Sequence, residues 1–418
     1  MKKIYMFLIT MLLGIALTGC SFGTETTTTE EIIVDTETYI EIDSVEDLEA
    51  LEMDKSYILT TDLDLSGIEW IPVGTYSEPF RGNFDGDGYT ISNLTITEAS
   101  ENFNGLFGYV YGDIFDLNIT SVNIDYETDF LTYAGGLAAF ALGDITNVTV
   151  EGDITIVNSV SNCYVGLLIG YTQPDINTLT DAADFDPNDL TNNSVIGSIS
   201  VDSQDIAYVG GLVGKTFNTQ VTDNYSEVDL DVTLNNSMGY IGGFIGHNFG
   251  GLIVNYVEQV NDVNVYIQNN VSISTISVSL NDKNASIGGF IGYNHFGYNS
   301  DNYSKTNISL SGSALETTVI NLGGYFGENW SSQMINNVTY YSYTEALTVD
   351  FDLRTDTFVT GGNYSTYEFV GNYILSDDLT LDVSEIEELD LLTNADLTND
   401  FFTNTLEWEA SQINKIQD

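Results

Sequence analysis

Between residues 225 and 234 the chain alternates strictly: Val228, Leu230, Val232 and Leu234 are apolar, with Asp229, Asp231 and Thr233 between them. Side chains of a strand point alternately to its two faces, so this period of two predicts a β-strand with one buried and one solvated face. Aspartates on that outer face explain much of the acidity without a functional site. Upstream of such strands a short glycine-rich pattern recurs. It reads Asn104-Gly105-Leu106-Phe107-Gly108, Gly135-Gly136-Leu137-Ala138-Ala139, Gly166-Leu167-Leu168-Ile169-Gly170, Gly210-Gly211-Leu212-Val213-Gly214, Gly242-Gly243-Phe244-Ile245-Gly246, Gly288-Gly289-Phe290-Ile291-Gly292 and Gly323-Gly324-Tyr325-Phe326-Gly327. The second positions are 31, 31, 44, 32, 46 and 35 residues apart. A period of 31 to 35 with two longer gaps is a repeat array carrying insertions.

Some ten residues past a copy comes an asparagine that opens a strand, as in Asn147-Val148, Asn224-Tyr225, Asn255-Tyr256, Asn302-Tyr303 and Asn337-Val338. Asn248, Asn294 and Asn329 share a second fixed offset, two residues beyond the last glycine of their copies. Glycine weakens a strand, so its repetition marks bends or close backbone approach. Coils stacked at about 4.8 Å supply that approach. Asparagines at one offset can then stack into ladders that satisfy their amides along the axis; as isolated residues they would simply favour turns.

These features predict an all-β solenoid of stacked coils. Exposed core at the two ends needs caps. Ser44-Val45-Glu46-Asp47, leading into Leu48 and Leu51, has a capping-box start for a short helix, and Ser384-Glu385-Ile386-Glu387 reads the same way near the other end. The gap at 171–193, with Pro174, Pro187 and five aspartates, reads as an exposed loop. The other long gap holds Val271, Ile273, Ile276 and Val278, which read as an extra strand or a glycine-poor rung.

Composition narrows the partners. The chain has 62 acidic residues against 9 basic, a formal charge of −53. Nucleic acid is excluded, since no basic patch exists to release counterions, and so is a purely electrostatic hold on anionic lipid. Divalent cations or a cationic partner stay open beside the plainer reading of a surface protein that repels its neighbours.

The N-terminus changes the picture most. Lys2 and Lys3 precede an apolar run from Ile4 to Leu17, and Leu17-Thr18-Gly19-Cys20 closes it. The layout is that of a signal peptide, too short for a comfortable membrane span. A cysteine at the cleavage point resembles the bacterial lipobox, which implies a lipid anchor on Cys20. Residues 1–19 are then removed with both lysines, leaving 62 acids against 7 bases, or −55. Residues 20–38, with threonines at 26–29 among Glu25, Glu30 and Glu31, read as a flexible tether. Cys163 is left without a cysteine partner.

The glycine units, each followed by an asparagine and a strand, resemble the GLUG motif of bacterial surface proteins. The lead-in also fits: Asp62-Leu63-Asp64-Leu65-Ser66-Gly67, Trp70-Ile71-Pro72-Val73-Gly74, then Pro79-Phe80-Arg81-Gly82-Asn83-Phe84-Asp85-Gly86-Asp87-Gly88-Tyr89-Thr90-Ile91 and Asn93-Leu94. The resemblance covers about 40–345 and implies a right-handed parallel β-helix exposed outside the cell, with lead-in rungs at 39–103, the repeat solenoid at 104–345 and terminal rungs with a cap at 346–418. Ala139 and Leu167 depart from the expected glycines, so the second and third rungs are expected to be irregular.

Some members of the family are joined to zinc peptidases that cut immunoglobulin, but His247 and His295 lack the paired-histidine spacing with a glutamate which that chemistry needs. Asp85-Gly86-Asp87-Gly88 lacks the further oxygen ligands of a calcium loop. Paired carboxylates could serve glycoside hydrolysis, but with 62 acids any pair can be chosen. No enzyme activity, metal or cofactor is therefore expected. The expected product is a lipid-anchored extracellular solenoid that binds a glycan or protein ligand; the alternatives are a polysaccharide-active β-helix and a passive stalk.

Overall fold

The computed structural model describes residues 38–98, 102–175, 185–250, 253–254, 259–260, 265–315, 317–347, 352–354, 360–370, 372–375 and 389–392. Within them the repeat becomes a coil, and residues 207–234 show its plan. Ala207–Gly210 lies in one sheet, here sheet C. The chain bends at Gly211-Leu212 and enters sheet A as Val213–Phe217 and Gln220–Thr222. It bends again at Asp223-Asn224 into the long sheet B strand Tyr225–Leu234. The next coil repeats the circuit and pairs in parallel on all three faces: Tyr208 with Tyr240, Lys215 with His247, Leu230 with Ile276. Parallel stacking of equivalent strands on three faces makes the molecule a parallel β-helix.

The alternation decides which side chains fill it. Val228, Leu230, Val232 and Leu234 are buried and Asp229 and Asp231 exposed. Equivalent inward positions from every coil merge into one core. Cys163 belongs to it: its parallel partners are Thr132 and Ala207, and its thiol is free and buried. Burial pushes that thiol up to about 12.

Close approach at the glycines is direct. A Cβ on Gly243 would stand 2.3 Å from the Gly289 carbonyl oxygen, and one on Gly289 would stand 2.1 Å from that of Gly324. Gly211, Gly243 and Gly289 are thus each covered by the backbone of the equivalent glycine one coil on.

Both asparagine ladders exist, with a change of membership in the first. The buried ladder runs Asn193, Asn224, Asn270, Asn302, Asn337. Each Oδ1 accepts from the backbone N–H and the side-chain amide of the residue before it, at 2.8–3.1 Å. Asn147 sits one residue too early, in the left-handed region at φ 56. Val148 holds the ladder position there and donates its N–H to Asn193 Oδ1 at 2.9 Å. Asn255 lies outside the described residues, and Asn270 takes the place expected of it. The second ladder joins Asn248 Nδ2 to Asn294 Oδ1 at 2.7 Å and Asn294 Nδ2 to Asn329 Oδ1 at 2.9 Å. Thr216 starts it by donating to Asn248 Oδ1 at 2.7 Å.

Three expectations need correction. In sheets A and C, where Ala139 and Leu167 lie, the second and third rungs are regular: Ala138 pairs with Ile169, Phe140 with Tyr171 and Val165 with Val209 without a register shift. Leu167 turns its side chain wholly into the core. The irregularity lies instead in sheet B, where the register shifts between Ile119 and Val122. Gly152 serves that bulge at φ +148, where a Cβ would meet the Val122 carbonyl at 2.3 Å.

The first insertion is shorter than 171–193. Ile169–Thr172 is a strand, Asp189–Thr191 is another, and Asn188 and Asn193 are buried. The segment around Val271–Val278 is no addition at all, since Val271–Asn281 is the regular sheet B strand of its coil. The added chain lies before it, where Ile253–Val254 pairs antiparallel with Gln259–Val260.

At the N-terminal end Ser44 caps the helix Val45–Glu49, accepting from the Asp47 N–H, and Leu48 inserts into the core. Coils continue through Asp352–Arg354, Thr360–Val370, Asn372–Leu375 and Leu389–Leu392. The cap expected at Ser384 lies outside the described residues.

Candidate functional site

On the strand that follows each glycine bend, side chains alternate across sheet A, and parallel register turns each outward position into a column along the axis. The first column runs Tyr109, Phe140, Tyr171, Lys215, His247, Tyr293, Glu328. Two residues on, the second runs Phe217, Phe249, His295, Trp330. The Thr216–Asn248–Asn294–Asn329 ladder points inward between them and locks the strand that carries both.

Sheet C contributes a wall across the glycine bend: Phe103, Tyr133, Tyr164, Tyr208 and Tyr240. These rings stack on one another, with Tyr133–Tyr164 at 4.7 Å and Tyr164–Tyr208 at 4.5 Å between centroids. They also meet the first column: Tyr164 faces Tyr171 at 5.7 Å and Tyr240 faces His247 at 5.4 Å. Wall and column therefore close over the bend as a second, half-buried zipper outside the main core.

Polar members of the zipper are held in specific ways. The Lys215 ammonium stands 5.3 Å from the Tyr171 ring centre and 5.2 Å from that of Tyr208, a cation–π setting. Burial lowers its pKa from the ordinary lysine value. Burial also holds His247 well below the usual histidine range, reinforced by Lys215 and His295, and neither ring nitrogen has a hydrogen-bond partner. Glu328 accepts from Asn321 at 2.9 Å, Ser286 at 3.1 Å and the Trp330 indole N–H at 3.0 Å. It is the one carboxylate in the two columns among the described residues.

The second column is more open. Phe217 stacks on Phe249 at 5.2 Å, His295 stands edge-on to Phe249 and to Trp330, and Trp330 is 39% exposed. Beside it on the same sheet face, Tyr266 and Tyr298 lie 5.3 Å apart. Both insertions leave the coil just past this column, after Gln173 and after Gly250. Sheet B presents the opposite chemistry: Asp125, Glu127, Glu151, Asp153, Glu227, Asp229 and Asp231 are all exposed on its outer face.

Cys20, the anchoring residue expected from the sequence, lies outside the described residues. Asp85-Gly86-Asp87-Gly88 forms a turn in which Asp85 Oδ1 accepts from the Asp87 N–H at 2.8 Å, and burial raises the Asp85 pKa. The aromatic columns escaped the sequence reading, although an aromatic two residues before most Gly-Gly pairs was visible there. Among the described residues no helix is long and apolar enough to cross a membrane.

This geometry is that of a parallel β-helix whose coils turn at repeated glycine bends. The GLUG motif family matches residues 131–155, the second coil with its Gly135-Gly136 bend. The chain is 36% identical over 130 residues to halomucin of Haloquadratum walsbyi, a stretch covering 27% of this chain and 1% of that protein. It is 35% identical over 95 residues to a Gly-rich membrane protein of Evansella cellulosilytica, covering 22% of this chain and 11% of the relative. The chain thus spans a small part of the length of either relative. Among solved structures, a Bacteroides ovatus protein carrying the name of an immunoglobulin A1 protease aligns with a TM-score of 0.43 and 15% identity, over 79% of this chain and 84% of that one.

Proposed function

We propose that this protein is a lipid-anchored surface lipoprotein, held on the extracellular face of the membrane through Cys20, whose solenoid binds a ligand and performs no catalysis. The observation that carries the binding half is the pair of outward columns. Each coil adds one more ring or polar group at the same two positions, so the surface is a repeated array suited to many weak, spaced contacts. Rings rather than paired carboxylates dominate it, and the single carboxylate, Glu328, is already engaged by three donors. A location at the membrane or cell surface is supported by the relatives, one of which carries the name of a membrane protein. The anchoring half rests on Lys2-Lys3, the apolar run and Leu17-Thr18-Gly19-Cys20.

The test uses the full mature chain. Its binding to whole cells, matrix proteins and glycans is measured, and fractionation compares it with Cys20→Ala. The reading expects firm membrane retention that Cys20→Ala loses, and saturable binding to at least one surface. Retention without binding would leave a passive stalk. Turnover of a polysaccharide or peptide, lost on a single carboxylate change, would make the protein an enzyme.

A further inference from the structure

Sheet A and sheet B divide the surface chemistry sharply, and the division points to a ligand class. Sheet B gathers exposed carboxylates on its outer face. The second column of sheet A gathers Phe217, Phe249, His295 and Trp330 on four successive coils, with no charged side chain among them at neutral pH, since burial lowers the His295 pKa. We propose that this column, with Tyr266 and Gln268 beside it, binds an extended neutral glycan lying along the solenoid axis. The proposal rests on the surface-binding reading and names its ligand.

Four physical arguments carry it. Coils rise by about 4.8 Å, so the column offers a ring or imidazole at regular steps along a straight line, and a straight polymer can meet them in turn. His295 stands at 76° to the Phe249 ring and 84° to the Trp330 ring. Those edge-to-face contacts stop the column from closing into one continuous stack. Trp330 and Tyr266 are 39% and 36% exposed, and large rings fixed by few torsions contact a ligand at low entropic cost. The Trp330 indole is oriented in advance by its bond to Glu328 Oε1 at 3.0 Å.

The polar neighbours suit a polyhydroxylated chain. His295 offers hydrogen-bonding atoms among the rings, and Gln268, whose amide nitrogen donates to Asp301 Oδ2 at 3.5 Å, keeps its carbonyl two residues from Tyr266; a pyranose presents C–H faces to rings and hydroxyls to such groups in the same way. Charge selects against the alternatives. A chain at −53 repels polyanions. A basic peptide would be drawn to the carboxylates of sheet B and away from the uncharged column.

Native gels containing hydroxyethyl cellulose, xylan or mixed-linkage β-glucan, with polygalacturonate as the anionic control, test the assignment on the full mature chain. The expected result is retardation by at least one neutral polymer and none by polygalacturonate. Trp330→Ala and Tyr266→Ala should each weaken that retardation by about tenfold, with melting temperature unchanged, while Asp229→Asn on sheet B leaves it intact. No retardation by any neutral polymer, equal retardation by polygalacturonate, or indifference to both ring substitutions would overturn the proposal.

Cell binding separates this proposal from the broader one. If the protein binds cells and periodate oxidation of their glycans leaves that binding unchanged, the glycan assignment fails and the surface-binding reading stands. If it binds no surface, both fail.

Discussion

Asn224 and Asn270, 46 residues apart in the chain, stand one above the other in the core, with Asn224 Nδ2 donating to Asn270 Oδ1 at 3.0 Å. The backbone N–H of Asn224 donates to the same oxygen, also at 3.0 Å. A single side-chain carbonyl thus closes two donors from the coil below. The extra chain after Gly250 lengthens this repeat without disturbing its register, because the ladder pins the coil where it re-enters sheet B.

Removing that carbonyl should be costly. In Asn270→Ala the buried Asn224 N–H loses its acceptor, while the Asn224 amide keeps the Leu190 and Thr222 carbonyls at 2.9 Å, so the cost is about 1–3 kcal/mol for one unsatisfied buried group. Thermal melting of Asn270→Ala against the parent measures it. An unchanged melting temperature would mean that the ladder contributes nothing to stability.

The glycine bends predict a contrast between two substitutions. Gly289→Val would place its Cβ 2.1 Å from the Gly324 carbonyl oxygen and 3.0 Å from Thr306 Oγ1. Backbone of the next coil would have to move, so a loss of about 1–3 kcal/mol is expected for overpacking. Asp231→Asn, on the exposed face of sheet B, should be nearly silent. Denaturant midpoints for the two variants decide the matter, and equal midpoints would remove the crowding argument.

Stability should also depend on pH through Asp189. Burial first, then the charges of Asp144 and Asp186, raise its carboxyl from 3.8 to about 6. A raised carboxyl favours the protonated folded state. Its contribution is therefore fully present below about pH 3.8 and is lost as the pH rises through about 6. Asp189→Asn removes that loss, so the variant should melt above the parent at pH 7 and the gap should shrink on acidification through this window. Parallel melting curves across the window would show that Asp189 is not the group responsible.

Intact-mass analysis of membrane-extracted protein should find a chain that begins at Cys20 and carries a lipid-sized addition, with residues 1–19 gone. An unmodified Cys20 in the membrane fraction would end the anchoring proposal.

The division between what could be read in the chain and what could not follows the range of each interaction. Alternation at Val228–Leu234 and the spacing of the Gly-Gly pairs are local, because a strand's two faces and a backbone bend are set by neighbours a few residues away. These were enough for an all-β array with a buried face, for the close approach at Gly289 and for the ladder at Asn248, Asn294 and Asn329. Offsets failed where the chain between coils changes length. Asn255 keeps the expected distance from its glycine pair, yet Asn270 occupies the ladder, since only stacking on Asn224 and Asn302 defines the position. Leu167 and Ala139 looked like faults for the same reason: what a coil tolerates depends on the core and on the coil above it. The aromatic columns were the least legible. Tyr208, Tyr240 and His247 become one surface only when parallel register lays successive coils about 4.8 Å apart, a distance fixed by hydrogen bonds between strands some 31 residues or more apart.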